Sequence, residues 1–172
     1  MLASHENLAM LRIAIAQLNP VMGDIAGNLA KARAARAEAA KMKADLVLFT
    51  ELFISGYPPE DLVLKPSFLA ACEKAVRELA IETADGGPGV VIGTPLSRES
   101  GLHNSIAVLD GGEIIAERFK VDLPNYGEFD EKRVFQAGPM PGPVNFRGVR
   151  IGIPVCEDIW GELGVAETLA ES

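Results

Sequence analysis

Residues 44–50 read ADLVLFT, a short apolar run that is followed directly by Glu51. The length and composition of this run predict a buried β-strand. A second such run, LRIAIAQ, spans residues 11–17, and the Ala-rich segment 25–43 between the two predicts a helix whose basic side chains face solvent. Strand, helix and strand in this order indicate an α/β fold.

Beyond Glu51 the pattern continues with a second helix and a third strand. Pro66 is suited to the first position of a helix that we expect over residues 67–83. The apolar positions of this helix recur at spacings of three and four residues, which is typical of a core-facing stripe: Leu69, Cys72, Val76 and Leu79. The run GVVIGT, residues 89–94, predicts the third strand.

In the second half of the chain, a hairpin interrupts the alternation of strands and helices. Residues 102–110 and 113–119 flank the pair Gly111-Gly112, which is a two-residue hairpin signal. Three further segments complete the pattern: an irregular stretch over 120–143, a strand over 149–155 and a helix from about residue 162. We therefore predict an α/β fold with a mixed sheet.

The composition is that of a chain of 172 residues, long enough to bury a core, with 48% hydrophobic residues. Sixteen basic against 24 acidic residues give a net charge of −8, which argues against a nucleic-acid partner. The longest apolar run, residues 68–72, is too short to cross a membrane, so no membrane partner is expected. Two cysteines and no secretory signal favour a cytoplasmic location.

The two cysteines differ in their sequence context. Cys72 lies on the apolar face of the expected helix, where a cysteine behaves as a small hydrophobic residue. Cys156 follows an apolar strand and precedes an acidic turn, in the segment PVCEDIW of residues 154–160. A sharp turn there would expose the side chain and supply backbone N–H groups for a developing oxyanion. Local context leaves two interpretations of Cys156 open, a nucleophile and a core residue at the end of a strand.

A nucleophilic Cys156 would need a general base, because the neighbouring Glu157 and Asp158 disfavour a thiolate. The two histidines are poor candidates, since His5 lies in the polar N-terminal segment and His103 at the start of a hairpin strand. A carboxylate therefore fits the role of base better.

Two residues at expected strand ends, and one in the irregular stretch, could support such chemistry. Glu51 lies at the edge where α/β folds place functional groups, although an isolated Glu is most often solvated. Lys120 ends the second hairpin strand and could stabilise an oxyanion or hold a base. For Glu131, a surface ion pair with Lys132 or Arg133 is the simpler interpretation. Motifs for metal, nucleotide-phosphate, flavin or nicotinamide binding are absent from the sequence, so no metal site is expected.

Three segments resemble motifs of the nitrilase, or carbon–nitrogen hydrolase, superfamily. They are TELFISGYPPEDL at residues 50–62, KVDLPNYGEFDEKR at 120–133 and PVCEDIW at 154–160. The opening LRIAIAQLNP, residues 11–20, is similar as well, and the resemblance extends over everything from Met10 onward. The contexts LPNYG and CEDIW resemble more narrowly the N-terminal glutaminase domain of glutamine-dependent NAD⁺ synthetases.

The resemblance implies a nitrilase-like α-β-β-α sandwich with mixed sheets and a catalytic triad of Glu51, Lys120 and Cys156. Glu51 would take the Cys156 proton, the sulfur would attack the side-chain amide carbon of glutamine, and Lys120 would help to hold the oxyanion. Glu131 would be a supporting second carboxylate. The implied glutamine pocket is lined by Tyr57, Tyr126, Phe129 and Glu157, with Glu157 a candidate for binding the substrate's α-ammonium group.

The same resemblance implies partners outside this sequence. Ammonia would travel to a separate synthetase domain, where ATP and Mg²⁺ would serve the amidation of deamido-NAD⁺, while no cofactor is expected in this segment. We expect residues 1–9 to be a disordered leader and residues 10–172 to be a partial carbon–nitrogen hydrolase domain, truncated at its C-terminus. The parent enzyme is expected to be a homo-oligomer. Two alternatives stay open: a stand-alone amidase acting on another small amide, and a non-catalytic fragment.

Overall fold

A computed structural model describes residues 10–172, and the expected disordered leader of residues 1–9 lies outside the described residues. Five strands form the main sheet in sequence order: Ile13–Ala16 (β1), Leu46–Phe49 (β2), Gly89–Arg98 (β3), Gly101–Asp110 (β4) and Glu113–Phe119 (β5). Two short strands, Val144–Phe146 (β6) and Val149–Ile151 (β7), form a second sheet. The α-helices are Ile25–Lys41 (α1), Pro66–Glu82 (α2) and Val165–Glu171 (α3).

The main sheet combines parallel and antiparallel pairing. β1, β2 and β3 run parallel, with Ile13 opposite Leu46 and Leu46 opposite Gly89. β3, β4 and β5 then pair antiparallel, and the turn between β4 and β5 is formed by Gly111 and Gly112, both at positive φ. The predicted α/β class with a mixed sheet and the predicted hairpin are confirmed.

Helices α1 and α2 cover one face of the main sheet. Cys72, Val76 and Leu79 of the predicted α2 stripe are buried against sheet residues such as Ile92, whereas Leu69 is only partly buried. The expectation that the basic residues of α1 face solvent is wrong for Arg36. Its side chain is buried because its guanidinium donates hydrogen bonds to the Pro88 carbonyl and the Asp85 carboxylate on the turn before β3.

The opposite face of the main sheet is covered by the chain that follows β5. Phe146 and Val155 pack there against Val91 and Val108. The approach is so close that a Cβ on Gly89 would lie 2.5 Å from Phe146 Cε2, so this position requires glycine. The resulting layers are helices, main sheet and small sheet, which together place the Cys156 segment on the face of the main sheet that the helices leave free.

Two details of the second sheet differ from the sequence-based expectation. The strand predicted over residues 149–155 ends at Ile151, because Gly152 and Pro154 interrupt its pairing and Pro154 has no N–H to donate. Strand β6 was not predicted, since three residues beside Pro143 carry too weak a pattern. None of the described helices is both long and apolar enough to cross a membrane.

Candidate active site

The candidate residues Glu51, Lys120 and Cys156 each follow a strand, and the fold brings them to one edge of the main sheet. Glu51 lies two residues after β2, and Lys120 comes directly after β5. Cys156 begins a 3₁₀ turn over Cys156–Ile159, on the segment that crosses the sheet face. Glu51 and Cys156 line one cavity of about 160 Å³, together with residues of β2, β3 and β4.

Lys120 is fully buried, and its ammonium group joins two carboxylates. Its Nζ donates to Glu51 Oε1 at 2.8 Å, and to Glu131 Oε1 and Oε2 at 2.9 and 3.1 Å. Glu131 itself is only 5% exposed, so the simpler interpretation of Glu131 as a surface ion-pair partner is wrong. The structure instead brings Glu131 into the same cluster as Glu51 and Lys120.

Burial and charge compete in setting the ionisation of this cluster. Burial alone would lower the pKa of Lys120, but the Glu51 and Glu131 carboxylates outweigh it and hold the pKa above its usual value. Burial raises the pKa of Glu131, although the Lys120 ammonium opposes that shift. Lys120 is therefore a firmly charged ammonium group that neutralises part of a negative pair.

Cys156 has a backbone conformation that side chains seldom adopt. Its φ of 48° is in the left-handed region, which costs a non-glycine residue on the order of 1 kcal/mol. Partial burial, and then the negative charge of Glu51, raise the pKa of the Cys156 thiol to about 11, while Lys120 opposes this shift. Cys156 is thus a neutral thiol near pH 7, and it needs a base to attack.

Asp158, which the sequence analysis considered only as a neighbour of Cys156, orders the site through the backbone. Its buried carboxylate accepts hydrogen bonds from the N–H groups of residues 121–122 at 3.0 and 2.8 Å, and from the Val155 N–H at 3.0 Å. These bonds tie the chain just after Lys120 to the chain just before Cys156. An acid two residues after a candidate nucleophile is the only signal in the sequence that could have indicated this role.

Asn104 of β4 is a second site residue that sequence reasoning missed. Its Nδ2 donates to Glu51 Oε1 at 2.7 Å and to Glu131 Oε2 at 3.3 Å. Only the register of the hairpin brings Asn104 beside these carboxylates, so no local pattern could have revealed it.

The four residues expected to line a substrate pocket form two groups. Tyr57 and Phe129 line a cavity of about 380 Å³ that also reaches Glu131, whose Oε1 accepts a hydrogen bond from the Tyr57 hydroxyl at 3.1 Å. Tyr126 is exposed and donates to Glu157 at 3.0 Å, outside the lining of that cavity. The Tyr126 ring meets the Phe129 ring edge-on at 5.7 Å, so the two groups are neighbours.

Histidine and metal chemistry find no support in the part of the chain that the structure describes. His103 is buried, with its ring nitrogens hydrogen-bonded to Ser100 Oγ and the Gln136 carbonyl and its ring stacked on Phe119. Over residues 10–172, no group of three or more His, Cys, Asp or Glu side chains is placed to hold a metal ion. The chemistry that the cluster offers is thiol attack with a carboxylate base and a fixed ammonium group.

Comparison with known proteins relates this geometry to a family. Residues 12–166 match the family model described as carbon-nitrogen hydrolase. The chain is 41% identical over 160 residues to a glutamine-dependent NAD(+) synthetase of Thermotoga maritima, a match that covers 93% of the chain and 28% of that protein. The chain therefore spans less than a third of the length of this relative.

Solved structures agree with the sequence match. A glutamine-dependent NAD⁺ synthetase from Acinetobacter baumannii superposes with a TM-score of 0.86 at 36% identity, over 94% of this chain and 30% of that one. An amidase from Nesterenkonia sp. superposes with a TM-score of 0.73 at 29% identity, over 87% of this chain and 56% of that one. The predicted nitrilase-like fold is confirmed by these similarities.

Proposed function

Because the chain belongs to the carbon–nitrogen hydrolase family, we propose that it hydrolyses the side-chain amide of glutamine to glutamate and ammonia through a thioester on Cys156. The observation that carries this proposal is the Lys120 ammonium group between two carboxylates, with one of them, Glu51, on the same cavity as the Cys156 thiol. That arrangement supplies a base, a cation and a nucleophile at one sheet edge.

In the first half of the reaction Glu51 removes the thiol proton as the sulfur attacks the amide carbon. The carbonyl π electrons move to oxygen, and the oxyanion is held by Lys120 and a backbone N–H of the Cys156 turn. When this intermediate collapses, the C–N bond breaks and the nitrogen takes the proton from Glu51. Ammonia leaves, and a thioester stays on Cys156.

In the second half Glu51 acts again as a base. It takes a proton from a water molecule as the water oxygen attacks the thioester carbon. The C–S bond breaks, glutamate leaves, and the sulfur recovers its proton from Glu51. Glu131 supports both halves, since its hydrogen bonds to Lys120 keep the ammonium group in place.

Recognition of glutamine falls to the residues around the two cavities. The half-buried Glu157 side chain, held by Tyr126 and by the Trp160 indole N–H at 3.0 Å, is suited to bind the α-ammonium group of the amino acid through its carboxylate. Tyr57 and Phe129 provide apolar walls beside Glu131. An amide without an α-ammonium group would lose the interaction with Glu157.

We extend the proposal to the parts of the reaction that lie outside this chain. The relatives that it matches are glutamine-dependent NAD⁺ synthetases about three times as long. In such a protein the ammonia would pass to a synthetase domain that uses ATP and Mg²⁺ to amidate deamido-NAD⁺, while the present segment needs no cofactor. We place the whole protein in the cytoplasm and expect it to be a homo-oligomer.

A second candidate function is supported by the similarity to the Nesterenkonia amidase. A variant of the amidase from Nesterenkonia sp. AN1 shows the result of Michael addition of acrylamide at its active site cysteine. A stand-alone amidase acting on a small amide without an α-ammonium group would use the same three residues. The alternatives differ in whether Glu157 contributes to binding.

The test compares glutamine with simple amides. We expect ammonia and glutamate to form in equal amounts from glutamine, with slow turnover of acetamide and propionamide, and we expect Glu157→Gln to raise the KM for glutamine. The control is Glu162→Gln, an exposed acid five residues further along the chain. Faster turnover of the simple amides, unchanged by Glu157→Gln, would favour the amidase. No turnover of any amide by a chain that unfolds cooperatively would favour a non-catalytic fragment.

A further inference from the structure

Asn104 lies inside the fold, beside the carboxylates of Glu51 and Glu131. It is fully buried in β4 and shares a strand face with Ile106 and Val108, which pack against the small sheet and not against the helices. Its backbone carbonyl accepts the Lys120 N–H at 2.8 Å. Asn104 therefore fixes the point at which the chain leaves β5 and from which the Lys120 side chain starts.

The side chain of Asn104 bridges the carboxylates of Glu51 and Glu131. One nitrogen, Nδ2, donates to Glu51 Oε1 at 2.7 Å and to Glu131 Oε2 at 3.3 Å. Lys120 Nζ donates to the same two carboxylates, so each carboxylate accepts from a charged donor and from the neutral Asn104 amide, and Glu131 also accepts from the Tyr57 hydroxyl. A neutral donor adds stabilisation without adding charge.

The other end of the Asn104 amide has no hydrogen-bond partner. Of the buried side-chain nitrogen and oxygen atoms in the described part of the chain, only Asn104 Oδ1 lacks one. Rotating the amide by 180° would aim that oxygen at two carboxylates, which is repulsive, so the orientation with Nδ2 on the carboxylates is the stable one. The fold tolerates an unpaired oxygen because Nδ2 is needed where it is.

The charges around Glu51 and Glu131 explain why a neutral hydrogen-bond donor is needed beside them. The titratable groups that face Glu51 are Lys120, Glu131, the Cys156 thiol and the Tyr57 hydroxyl. Two carboxylates share one ammonium group, which leaves a net charge of −1 in a largely buried cluster. Burial favours uptake of a proton by such a pair, whereas each donated hydrogen bond favours the ionised form.

We propose that Asn104 is a positioning residue that keeps the Glu51–Glu131 pair ionised and oriented, so that Glu51 is available as a base toward Cys156. The inference rests on the proposed function for the identity of the base. Loss of the Asn104 donor would allow the pair to take up a proton at a higher pH, and Glu51 would then fail as a base at pH values where it normally acts.

The test measures the alkylation rate of Cys156 by iodoacetamide as a function of pH, with peptide mapping by mass spectrometry to separate it from the buried Cys72. Glu51 assists attack by the neutral thiol, so the rate of the wild-type chain falls on the acid side as the pair is protonated. We expect Asn104→Leu, which removes the donor and excludes water, to move this acid limb upward by about one pH unit.

A second variant and a control separate positioning from a general loss of structure. Asn104→Ala leaves space for a water molecule that can donate in place of the amide, so its shift is expected to be smaller than that of Asn104→Leu. Thr94→Val is the matched control, because Thr94 is equally buried on the neighbouring strand, and its hydroxyl donates a hydrogen bond to the Pro95 carbonyl and none to the two carboxylates. Thr94→Val should leave the limb in place.

Coincident profiles of the wild type and both Asn104 variants would overturn the proposal, as would an equal shift in Thr94→Val. Glutamine hydrolysis, measured on the same preparations, tests the function separately. A shifted limb without any glutamine hydrolysis would support the role of Asn104 and refute the glutaminase assignment. If glutamine is hydrolysed and the acid limb of its pH profile is the same in all variants, the glutaminase assignment would be supported and the role of Asn104 refuted.

Discussion

An ammonium group without exposed surface is stable only when carboxylates surround it, and Lys120 has two of them within 3.1 Å. We expect Lys120→Met to lower the free energy of unfolding by about 3–5 kcal/mol, because two partly buried carboxylates would then face each other without a cation. Urea unfolding at pH 7 measures this loss.

The matched control for Lys120→Met is Lys41→Met. Lys41 also pairs with a glutamate, Glu38, but its side chain is 71% exposed, so its loss should change stability by no more than about 0.5 kcal/mol. A similar loss of unfolding free energy in both variants would show that burial does not make the Lys120 ion pairs more important for stability than a surface pair.

The pH dependence of Cys156 alkylation should report on the charge of Glu51. Partial burial, and then the negative charge of Glu51, raise the pKa of this thiol to about 11, and Lys120 opposes the shift. In Glu51→Gln the negative charge is gone and the cation stays, so the alkaline limb of Cys156 alkylation should move to lower pH, while glutamine hydrolysis is lost. Stopped alkylation assays between about pH 8 and pH 11 measure the limb.

Glu113→Gln is the control for charge alone, because Glu113 is an exposed acid at the start of β5. It should leave the alkaline limb and glutamine hydrolysis as they are in the wild type. An alkaline limb that stays in place or rises in Glu51→Gln would show that Glu51 does not act on the thiol.

The sequence was a better guide to some site residues than to others. Glu51 and Lys120 follow strands, and their position alone suggested a functional edge, although their roles stay predictions. Glu131 is buried by an irregular loop whose path has no periodicity, so its charge-rich context suggested a surface residue. Asn104 reaches the carboxylates only through the register of the hairpin, which leaves no local pattern in a single sequence. Asp158 acts through backbone hydrogen bonds, and its place two residues after Cys156 is the one signal that the sequence offers for it.

The packing of α1 against the turn before β3 depends on an ion pair between the buried Arg36 and the exposed Asp85. The Arg36 guanidinium, 10% exposed, donates to the Asp85 carboxylate, and the Arg36 Nε–H donates to the Pro88 carbonyl at 2.8 Å. The Arg36 hydrogen bond, and then the Gly87 N–H, lower the pKa of Asp85 to about 2. Asp85 itself is 58% exposed, so solvent screens part of this interaction.

We expect Asp85→Asn to lower the free energy of unfolding at pH 7 by about 1 kcal/mol, since Arg36 loses its anion. A carboxyl whose folded pKa lies below its unfolded value, about 3.9, stabilises the fold above that value and loses this effect as the pH falls toward about 2. The difference in the free energy of unfolding between wild type and Asp85→Asn should therefore become smaller as the pH falls from about 6 to about 3, measured by urea unfolding.

Asp130→Asn is the control for this pair, because Asp130 binds Arg133 with both side chains largely exposed. Asp130→Asn should lower the free energy of unfolding by less than about 0.5 kcal/mol both at pH 6 and at pH 3. A difference between wild type and Asp85→Asn that is constant with pH would mean that the carboxylate charge does not support the packing of α1 against the turn before β3.

Elements with strong periodicity were predicted closely, and short ones were not. The helix expected over residues 67–83 is Pro66–Glu82, and the hairpin strands agree to within one residue. The small sheet was misjudged, because its pairing stops at Ile151 and its partner strand is three residues long. Its position depends on the packing of Phe146 on Gly89, a contact between distant parts of the chain.

The described chain has three layers, and β1 is the edge strand of the main sheet with the most exposed apolar side chains. Ile13 and Ile15 of β1 are 47% and 75% exposed, whereas the strands in the middle of the sheet are buried. Composition indicated only a chain long enough to bury a core, whereas the motif resemblance suggested part of a larger enzyme. The chain spans 28% of the length of a synthetase with which it shares 41% identity.

We propose Cys156 as the nucleophile of a glutamine-hydrolysing site, and this role is tested by comparing ammonia release from glutamine by three proteins. The wild type and Cys72→Ala, which alters a buried cysteine of α2, should release ammonia and glutamate in equal amounts. Cys156→Ala should release none while it keeps a cooperative unfolding transition. Ammonia release by Cys156→Ala at the rate of the wild type would show that Cys156 is not the nucleophile.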